Sequence, residues 1–172
     1  MEAFIGLTSD DWFDYHIDKK HDKVVFWTNR LIHLQNDSKF LFLCGIGQKD
    51  RYISGYGVVE EVRTCTVNDL WNKFGNLCGA DSIEELAIKI SGATTNKLIG
   101  KDDKISYYFI ANFKPFTNWI YTSSIEGEGK NQKEVFADVI RFPKMERNGK
   151  RISEEAADEI IKQGLFKKGE FL

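Results

Sequence analysis

The segment RYISGYGVVEEV, residues 51–62, constrains the fold more than any other part of the chain. Its aromatic, apolar and β-branched residues are typical of a long strand, but Gly55 and Gly57 interrupt the run. Glycine inside a strand commonly marks a bulge or the sharp bend at a barrel corner. The segment therefore predicts a sheet that curls.

Other apolar runs predict further strands, and residues that can cap helices separate them. The predicted strands are 3–7, 23–27, 39–44, 51–62, 105–113, 117–122 and 134–142. Hydroxyl and acidic residues that satisfy free backbone N–H groups predict four helices, which begin near residues 9, 66, 82 and 153. Helices inserted between runs of mainly antiparallel strands favour an α+β fold, with a small twisted β-barrel as its sheet.

The length of the chain favours one domain. A chain of 172 residues buries roughly 70% of its unfolded surface, which is enough for a substantial core. We expect a single domain over residues 1–172, with 123–172 as a C-terminal extension made of a strand and a helix. The hydrophobic share of 42% and charged share of 29% are those of an ordinary soluble protein.

The distribution of charge and apolar residues limits the partners. The net charge of −2 argues against binding nucleic acid by bulk electrostatics, although it leaves room for a local basic face. No apolar stretch approaches the roughly 20 residues that span a bilayer, and the N-terminal residues lack the pattern of a signal peptide. We expect a cytoplasmic protein without a membrane partner.

The reactive side chains do not form a recognisable catalytic or metal-binding motif. The three cysteines lack CxxC spacing, and no histidine follows His33, so neither a zinc framework nor a self-contained HNH-type nuclease is expected on this chain. Asp10 and Asp11 fit helix caps better than catalytic acids. The glycines of GIGQ (45–48) are too few to cradle phosphates. The sequence therefore predicts a protein that is not an enzyme and has no cofactor and no metal.

Several ordered motifs resemble a known family. They are TSDDWF (8–13), VVFW (24–27), FLF (40–42), YISGYG (52–57) and LWNKFGNLCGADSIEEL (70–86). Together they resemble the N-terminal region of predicted bacterial HNH restriction endonucleases, which is similar to PUA-like domains of the EVE and ASCH groups. The similarity spans roughly residues 3–120. It implies a PUA-like barrel of five to six strands and a reader of modified bases in DNA or RNA, which holds a flipped base in an aromatic pocket.

The stretch FWTNR (26–30) is the first choice for that pocket. An extruded base is held by stacking on aromatic faces and by hydrogen bonds to its polar edge. Trp27 could supply the aromatic face on which the base stacks, and Thr28 or Asn29 the hydrogen bonds to the edge of the base. The alternative is that Trp27 is a core residue. Because alternate strand residues face opposite ways, Phe26 and Trp27 cannot both line it. The full set predicted for the pocket is Trp27, Thr28, Asn29, Cys44, Gly45, Tyr107 and Trp119.

A basic run near the C-terminus could follow a nucleic-acid backbone, because positioning contacts go mainly to phosphates. The residues of this run predicted for the role are Lys130, Lys133, Lys144, Arg147, Lys150 and Arg151, and Arg30, beside the predicted pocket, is predicted to add a further phosphate contact. The leading hypothesis is the recognition module of a restriction or defence system, working with a nuclease domain or subunit. A binding module for a small nucleotide-like ligand and a structural interaction domain remain alternatives.

Overall fold

The computed structural model describes residues 2–45, 51–93, 98–121 and 149–166. The strands are β1 (Glu2–Leu7), β2 (Val24–Thr28), β3 (Lys39–Cys44), β4 (Tyr52–Thr66), β5 (Lys104–Tyr121) and β6 (Gly149–Ser153). The helices are α1 (Asp10–Asp18), α2 (Val67–Phe74), α3 (Ile83–Ala93) and α4 (Glu154–Gly164), and a 3-10 helix (Gly75–Cys78) follows α2. None of these helices combines the length and apolar character needed to cross a bilayer.

The six strands form one mixed sheet in the order β2-β5-β4-β3-β1-β6. Only β1 and β3 are parallel, and the remaining neighbours are antiparallel. The α+β class is the one predicted, and six strands in the described residues agree with the five to six that the family resemblance implies, although the apolar runs predict seven. In the described residues the sheet is open and twisted, with β2 and β6 as its outer strands, rather than closed by a ring of strand pairing.

The predicted irregularity of the 51–62 strand is present in β4. The pairing of β4 with β5 shifts register at three places, and one of them lies between Ile53 and Gly55. A Cβ on Gly55 would lie 2.6 Å from the carbonyl oxygen of Lys114, and one on Gly57 would overlap the side chain of Ile110. Glycine is required at both positions because the neighbouring strand approaches so closely. The sheet bends there.

The helices begin where the sequence predicts. The hydroxyl groups of Ser9, Thr66 and Ser153 accept hydrogen bonds from backbone N–H groups in the first turns of α1, α2 and α4. Ser82 does the same for the N–H of Glu85, in the first turn of α3. These caps satisfy donors that a helix start leaves free. Each helix is therefore defined locally before it packs on the sheet.

The predicted strands 117–122 and 134–142 are not separate strands in the described residues. The sequence predicts a separate strand over 117–122, but β5 runs on to Tyr121. A bulge at Asn112, whose φ is +53°, bends this strand without ending it. Pro115 is tolerated because β2 pairs only with residues 106–110 of β5. The predicted strand 134–142 lies outside the described residues, and β6 has no counterpart among the predicted strands.

Alternation along the strands divides the core between the two faces of the sheet. Val24 and Phe26 pack with Phe40, Phe42 and the aromatic residues of α1. Val25 and Trp27, on the opposite face, pack against α2, α3 and the 3-10 helix. A third cluster joins α4 to β1, β3 and the end of β5. The face on which a residue lies therefore determines which helix covers it.

Candidate functional site

Trp27 lies beneath the helices and is held by a hydrogen bond. Its indole Nε1 donates to the carbonyl oxygen of Cys78 at 3.0 Å, and its ring packs against the cluster formed by α2 and α3. The opposing residue of β5, Tyr107, is only 2% exposed, and its hydroxyl donates to Glu61 at 3.1 Å. Trp27 and Tyr107 are thus part of the packing that attaches the helices to the sheet.

The polar residues after Trp27 form a turn. The Thr28 hydroxyl accepts from the backbone N–H of Arg30 at 3.2 Å and donates to its carbonyl oxygen at 3.1 Å. Asn29 and Arg30 are exposed. Thr28 follows Trp27 in an extended strand, so its side chain projects from the opposite face. The turn therefore presents Asn29 and Arg30 to solvent beside the end of β2.

The segment after Cys78 explains why Trp27 is fixed. Gly79 has φ of +89°, and a Cβ there would lie 2.8 Å from Nε1 of Trp12. The carbonyl oxygen of Gly79 accepts from Nζ of Lys89 at 2.7 Å. α1 and α3 therefore clamp this segment against the edge of β2. We call Trp27 and the segment Cys78–Ala80 the clamped edge.

A histidine pair lies behind the clamped edge. His16 is fully buried, and its Nδ1 lies 2.9 Å from Nδ1 of His21, so one of these nitrogens carries the proton and the other accepts it. Burial, together with the charges of His21 and Lys89, lowers the pKa of His16 to about 3. Burial is also the main cause that lowers the pKa of His21. The His16 ring is therefore neutral at physiological pH.

A second aromatic group lies at the far end of β4 and β5. Trp119 is 52% exposed, and its ring stacks on that of Tyr52 with centroids 4.3 Å apart and planes only 8° from parallel. Tyr121, which is 40% exposed, packs at an angle against Tyr52 with centroids 5.7 Å apart. We call Tyr52, Trp119 and Tyr121 the aromatic platform. Since Tyr52 covers one face of the indole, the exposed surface of Trp119 includes its other face.

Asp10 fixes the base of this platform. Its Oδ1 accepts from the backbone N–H of Gly45 at 2.8 Å, and its Oδ2 accepts from the Tyr52 hydroxyl at 3.5 Å. Burial, followed by the negative charge of Asp10, raises the pKa of Tyr52 to about 12, so this phenol stays protonated and donates. Gly45 adopts φ of +81°, a left-handed conformation that glycine accepts without strain.

Cys44 lies below the platform rather than on it. The residue is 1% exposed, and its Sγ lies 3.1 Å from the hydroxyl of Ser54. Burial raises the pKa of the Cys44 thiol to about 12, so it is not a nucleophile at neutral pH. Within the described residues no group of three or more His, Cys, Asp or Glu side chains is placed to hold a metal ion.

The structure divides the residues predicted for one pocket into two groups. Trp27 and Tyr107 lie under α2 and α3, whereas Cys44, Gly45 and Trp119 lie at the other end of the sheet, near the start of α1. One base cannot contact both groups. Tyr52 and Tyr121 were missed because only the register, which pairs these two residues, brings them beside Trp119. Asp10 was missed because it reaches Tyr52 from the first turn of α1.

The predicted backbone-binding residues are also separated. Arg30 follows β2, while Lys150 and Arg151 lie on β6 at the opposite edge of the sheet. The Arg151 guanidinium contacts a Glu2 carboxylate oxygen at 3.3 Å and the His33 carbonyl oxygen at 2.9 Å. The remaining predicted residues, Lys130, Lys133, Lys144 and Arg147, lie outside the described residues.

The chain shares its fold with solved structures of an ASCH protein and of an McrB domain. It is similar to the crystal structure of ASCH from Zymomonas mobilis, with a TM-score of 0.57 and 14% identity over 91% of this chain and 93% of that chain. It is also similar to the N-terminal domain of Staphylothermus marinus McrB, with a TM-score of 0.53 and 12% identity over 93% of this chain and 94% of that chain. These likenesses confirm the predicted fold.

The crystal structure of a mutant form of the Zymomonas mobilis protein is similar to this chain to the same degree, with a TM-score of 0.58 and 14% identity over 92% of this chain and 95% of that chain. No protein-family model matches the chain, and no curated protein matches it. At such low identities the likeness extends to the fold alone. The resemblance to the N-terminal region of HNH endonucleases stays a prediction.

Proposed function

We propose that this chain is a non-enzymatic, cytoplasmic nucleic-acid-binding domain that stacks an unpaired or extruded base on the outer face of Trp119. The observation that carries this proposal is the exposed indole backed in parallel by Tyr52. Stacking on an aromatic side chain contributes about 1–3 kcal/mol per base and works for every base. A half-exposed tryptophan at the end of two paired strands provides such a surface.

The aromatic platform is preorganised for binding a base. Tyr52 is 8% exposed and is held by Asp10, which also accepts from the N–H of Gly45. Trp119 is restrained from below by this fixed ring, so little side-chain entropy remains to be lost when a base stacks on it. A preorganised surface binds more tightly than a mobile one of equal area. This favours a binding role for the platform over a purely structural one.

We further propose that the base carries a modification and that the domain serves a restriction or defence system, beside a nuclease on another chain or domain. A methyl group on an extruded base adds apolar surface that contact with the indole removes from water. Removing a base from a duplex costs a few kcal/mol, so single strands and weakened pairs are favoured. The similarity in fold to the McrB N-terminal domain supports nucleic-acid binding, and the modification and the defence role are our own extension of it.

A binding screen by fluorescence anisotropy tests the proposal. Labelled single strands and duplexes of DNA and RNA, with and without methylated or hydroxymethylated bases, are titrated with wild type, Trp119→Phe and Trp119→Ala. We expect Trp119→Ala to weaken binding roughly tenfold, since it removes one stacking contact, and Trp119→Phe to retain most of the affinity. Ile88→Ala is the control, because Ile88 is 70% exposed on α3.

Three results would separate the alternatives. Equal binding of plain and modified strands would leave a base-stacking domain without the proposed modification. Equal binding by wild type and Trp119→Ala would contradict the platform as the site. Binding that free nucleosides displace fully, and that salt does not weaken, would identify a small-ligand module instead, because contacts to phosphates are salt-dependent. The net charge of −2 is compatible with that second function.

A further inference from the structure

We propose that the base bound by the aromatic platform is one that methylation of a ring nitrogen has made cationic, such as 1-methyladenine or 3-methylcytosine. The observation that carries this inference is the exposed face of Trp119, backed by Tyr52, beside aspartates of α1 that form no ion pair within the described residues. The inference rests on the proposed function, because it names the class of base that the same surface takes.

Three aspartates of α1 form a row that begins at the aromatic platform. Asp10, Asp14 and Asp18 are spaced four residues apart, so they lie on one side of the helix, and we call them the acidic row. Asp10 accepts from the Tyr52 hydroxyl at 3.5 Å. Burial is the main cause that raises the pKa of Tyr52, and the negative charges of Asp10 and Asp14 are among the further causes. Both carboxylates therefore act electrostatically on the platform.

The described residues leave the acidic row without a paired cation. None of the ion pairs in the described parts of the chain includes Asp10, Asp14 or Asp18. Burial raises the pKa of Asp14, and the charges of the neighbouring aspartates on α1 raise it further, so these carboxylates repel one another. A cation that binds beside the row relieves this repulsion. The platform therefore favours a positively charged ligand over a neutral one of the same shape.

The shape of the platform suits a flat cation better than a compact one. A cation over the face of a tryptophan is attracted by the negative potential of the ring, and this attraction adds to the stacking of an aromatic cation. Compact ammonium groups are instead recognised by several rings that surround them. Tyr52 lies parallel beneath Trp119 rather than across a cleft from its open face. A planar, positively charged base can cover that open face with its whole ring.

Methylation of a ring nitrogen supplies the charge and also prevents base pairing. At neutral pH 1-methyladenine and 3-methylcytosine are cations, and their methyl groups occupy the edge that pairs in a duplex. A base that cannot pair costs less to extrude. The net charge of −2 on the chain does not attract phosphates. An attraction to the base itself therefore suits this domain.

Isomeric methylated bases test the inference by fluorescence anisotropy at neutral pH and moderate salt. The isomers 1-methyladenine and 6-methyladenine carry the same methyl group, but only the first is a cation, because the methyl group of the second is on the exocyclic amine. We expect a single strand with one 1-methyladenine to bind wild type roughly tenfold more tightly than the same strand with 6-methyladenine. Trp119→Ala should weaken the binding of both strands. A second pair of this kind is 3-methylcytosine and 5-methylcytosine.

Neutralising one carboxylate tests the source of this preference. Asp14 is exposed, and Asp14→Asn should reduce the preference for 1-methyladenine to about threefold or less, without weakening the binding of the 6-methyladenine strand. Asp102→Asn is the matched control, because Asp102 is an exposed residue of the turn before β5, whereas Trp119 is near the other end of that strand. This control should keep the tenfold preference. Circular dichroism checks that each variant is folded.

Each contrary result has its own meaning. Equal binding of the two isomers, with both weakened by Trp119→Ala, would overturn this inference and leave the proposed base-stacking function in place. No binding of any strand would overturn both. A preference that Asp14→Asn leaves unchanged would show that the acidic row is not its source. Tighter binding of a peptide with trimethylated lysine than of 1-methyladenosine would identify a cationic protein side chain as the ligand instead.

Discussion

The clamped edge and the aromatic platform each contain a tryptophan near the end of a strand, yet the two residues have opposite roles. Trp27 donates its indole N–H to a backbone carbonyl and lies under two helices. Trp119 is 52% exposed and is supported on one face only. An aromatic residue at a strand end therefore acquires its role from the face on which it lies and from the neighbours that the fold places around it.

The largest expected effect is at Gly79 in the clamped edge. Gly79→Ala adds a Cβ in contact with the Trp12 ring, at a φ of +89° that an L-residue resists. We expect a loss of about 3 kcal/mol in the free energy of unfolding, from overpacking and backbone strain together. Urea denaturation measures this loss, and Gly92→Ala is the control because no atom outside its own helix lies within 4 Å of its added Cβ.

The second largest effect is the dependence of the free energy of unfolding on pH, which we attribute to His16. A pKa lowered to about 3 in the folded state means that the unfolded chain, with a histidine pKa near 6.5, binds more protons. The contribution of His16 to stability is therefore fully present above about pH 7 and is lost as the pH falls towards 3. We expect about 2–3 kcal/mol less stability at pH 4.5 than at 7.5.

His16→Gln provides the control for this pH dependence, because glutamine does not titrate. The variant should show a flatter decline of the free energy of unfolding between about pH 7.5 and 4.5, whatever its stability at neutral pH. An unchanged slope would show that His16 is already protonated, or exposed to solvent, in the folded protein.

The third effect is at Trp27. Trp27→Ala removes a half-buried ring and leaves the carbonyl oxygen of Cys78 without its donor. We expect a loss of about 2 kcal/mol in unfolding free energy, less than for a fully buried tryptophan. Trp27→Phe should recover part of it. Equal stability of wild type and Trp27→Ala would mean that the contacts of Trp27 do not stabilise the fold. Trp27 would then again be a candidate for the wall of the base-binding pocket.

The smallest effect on stability is expected at the platform. Trp119→Ala loses one stacking contact with Tyr52 and little buried area, so the free energy of unfolding should fall by less than about 1 kcal/mol. The same urea experiment measures it beside Trp27→Ala. A loss at Trp119 as large as that at Trp27 would remove the difference between the two regions.

Local signals in the sequence predicted much of the fold. Ser9, Thr66, Ser82 and Ser153 cap the helices as expected, and Gly55 and Gly57 mark the bend in β4. β6 escaped prediction because five residues, GKRIS, carry no clear strand pattern of their own. Its extended form depends on pairing with β1, which is nearly 150 residues away in the chain.

The site was harder to predict because it depends on register. The alternation of side chains along β2 places Phe26 and Trp27 on opposite faces of the sheet. It does not show which residues of the other strands lie beside them on each face. Tyr52 reaches Trp119 only because β4 pairs with β5 so that Tyr52 opposes Tyr121 and Ile53 opposes Ile120. Asp10 joins them from the first turn of α1, and a helix cap gives no sign of such a contact.

Fluorine NMR distinguishes the roles of the two tryptophans directly, on protein labelled with 5-fluorotryptophan and titrated with a single-stranded oligonucleotide that carries a methylated base. Trp119→Phe and Trp27→Phe assign the two resonances by their disappearance. We expect the Trp119 resonance to shift with increasing oligonucleotide while the Trp27 resonance stays in place. A shift of Trp27 with Trp119 unmoved would contradict this expectation and would place the base at the clamped edge.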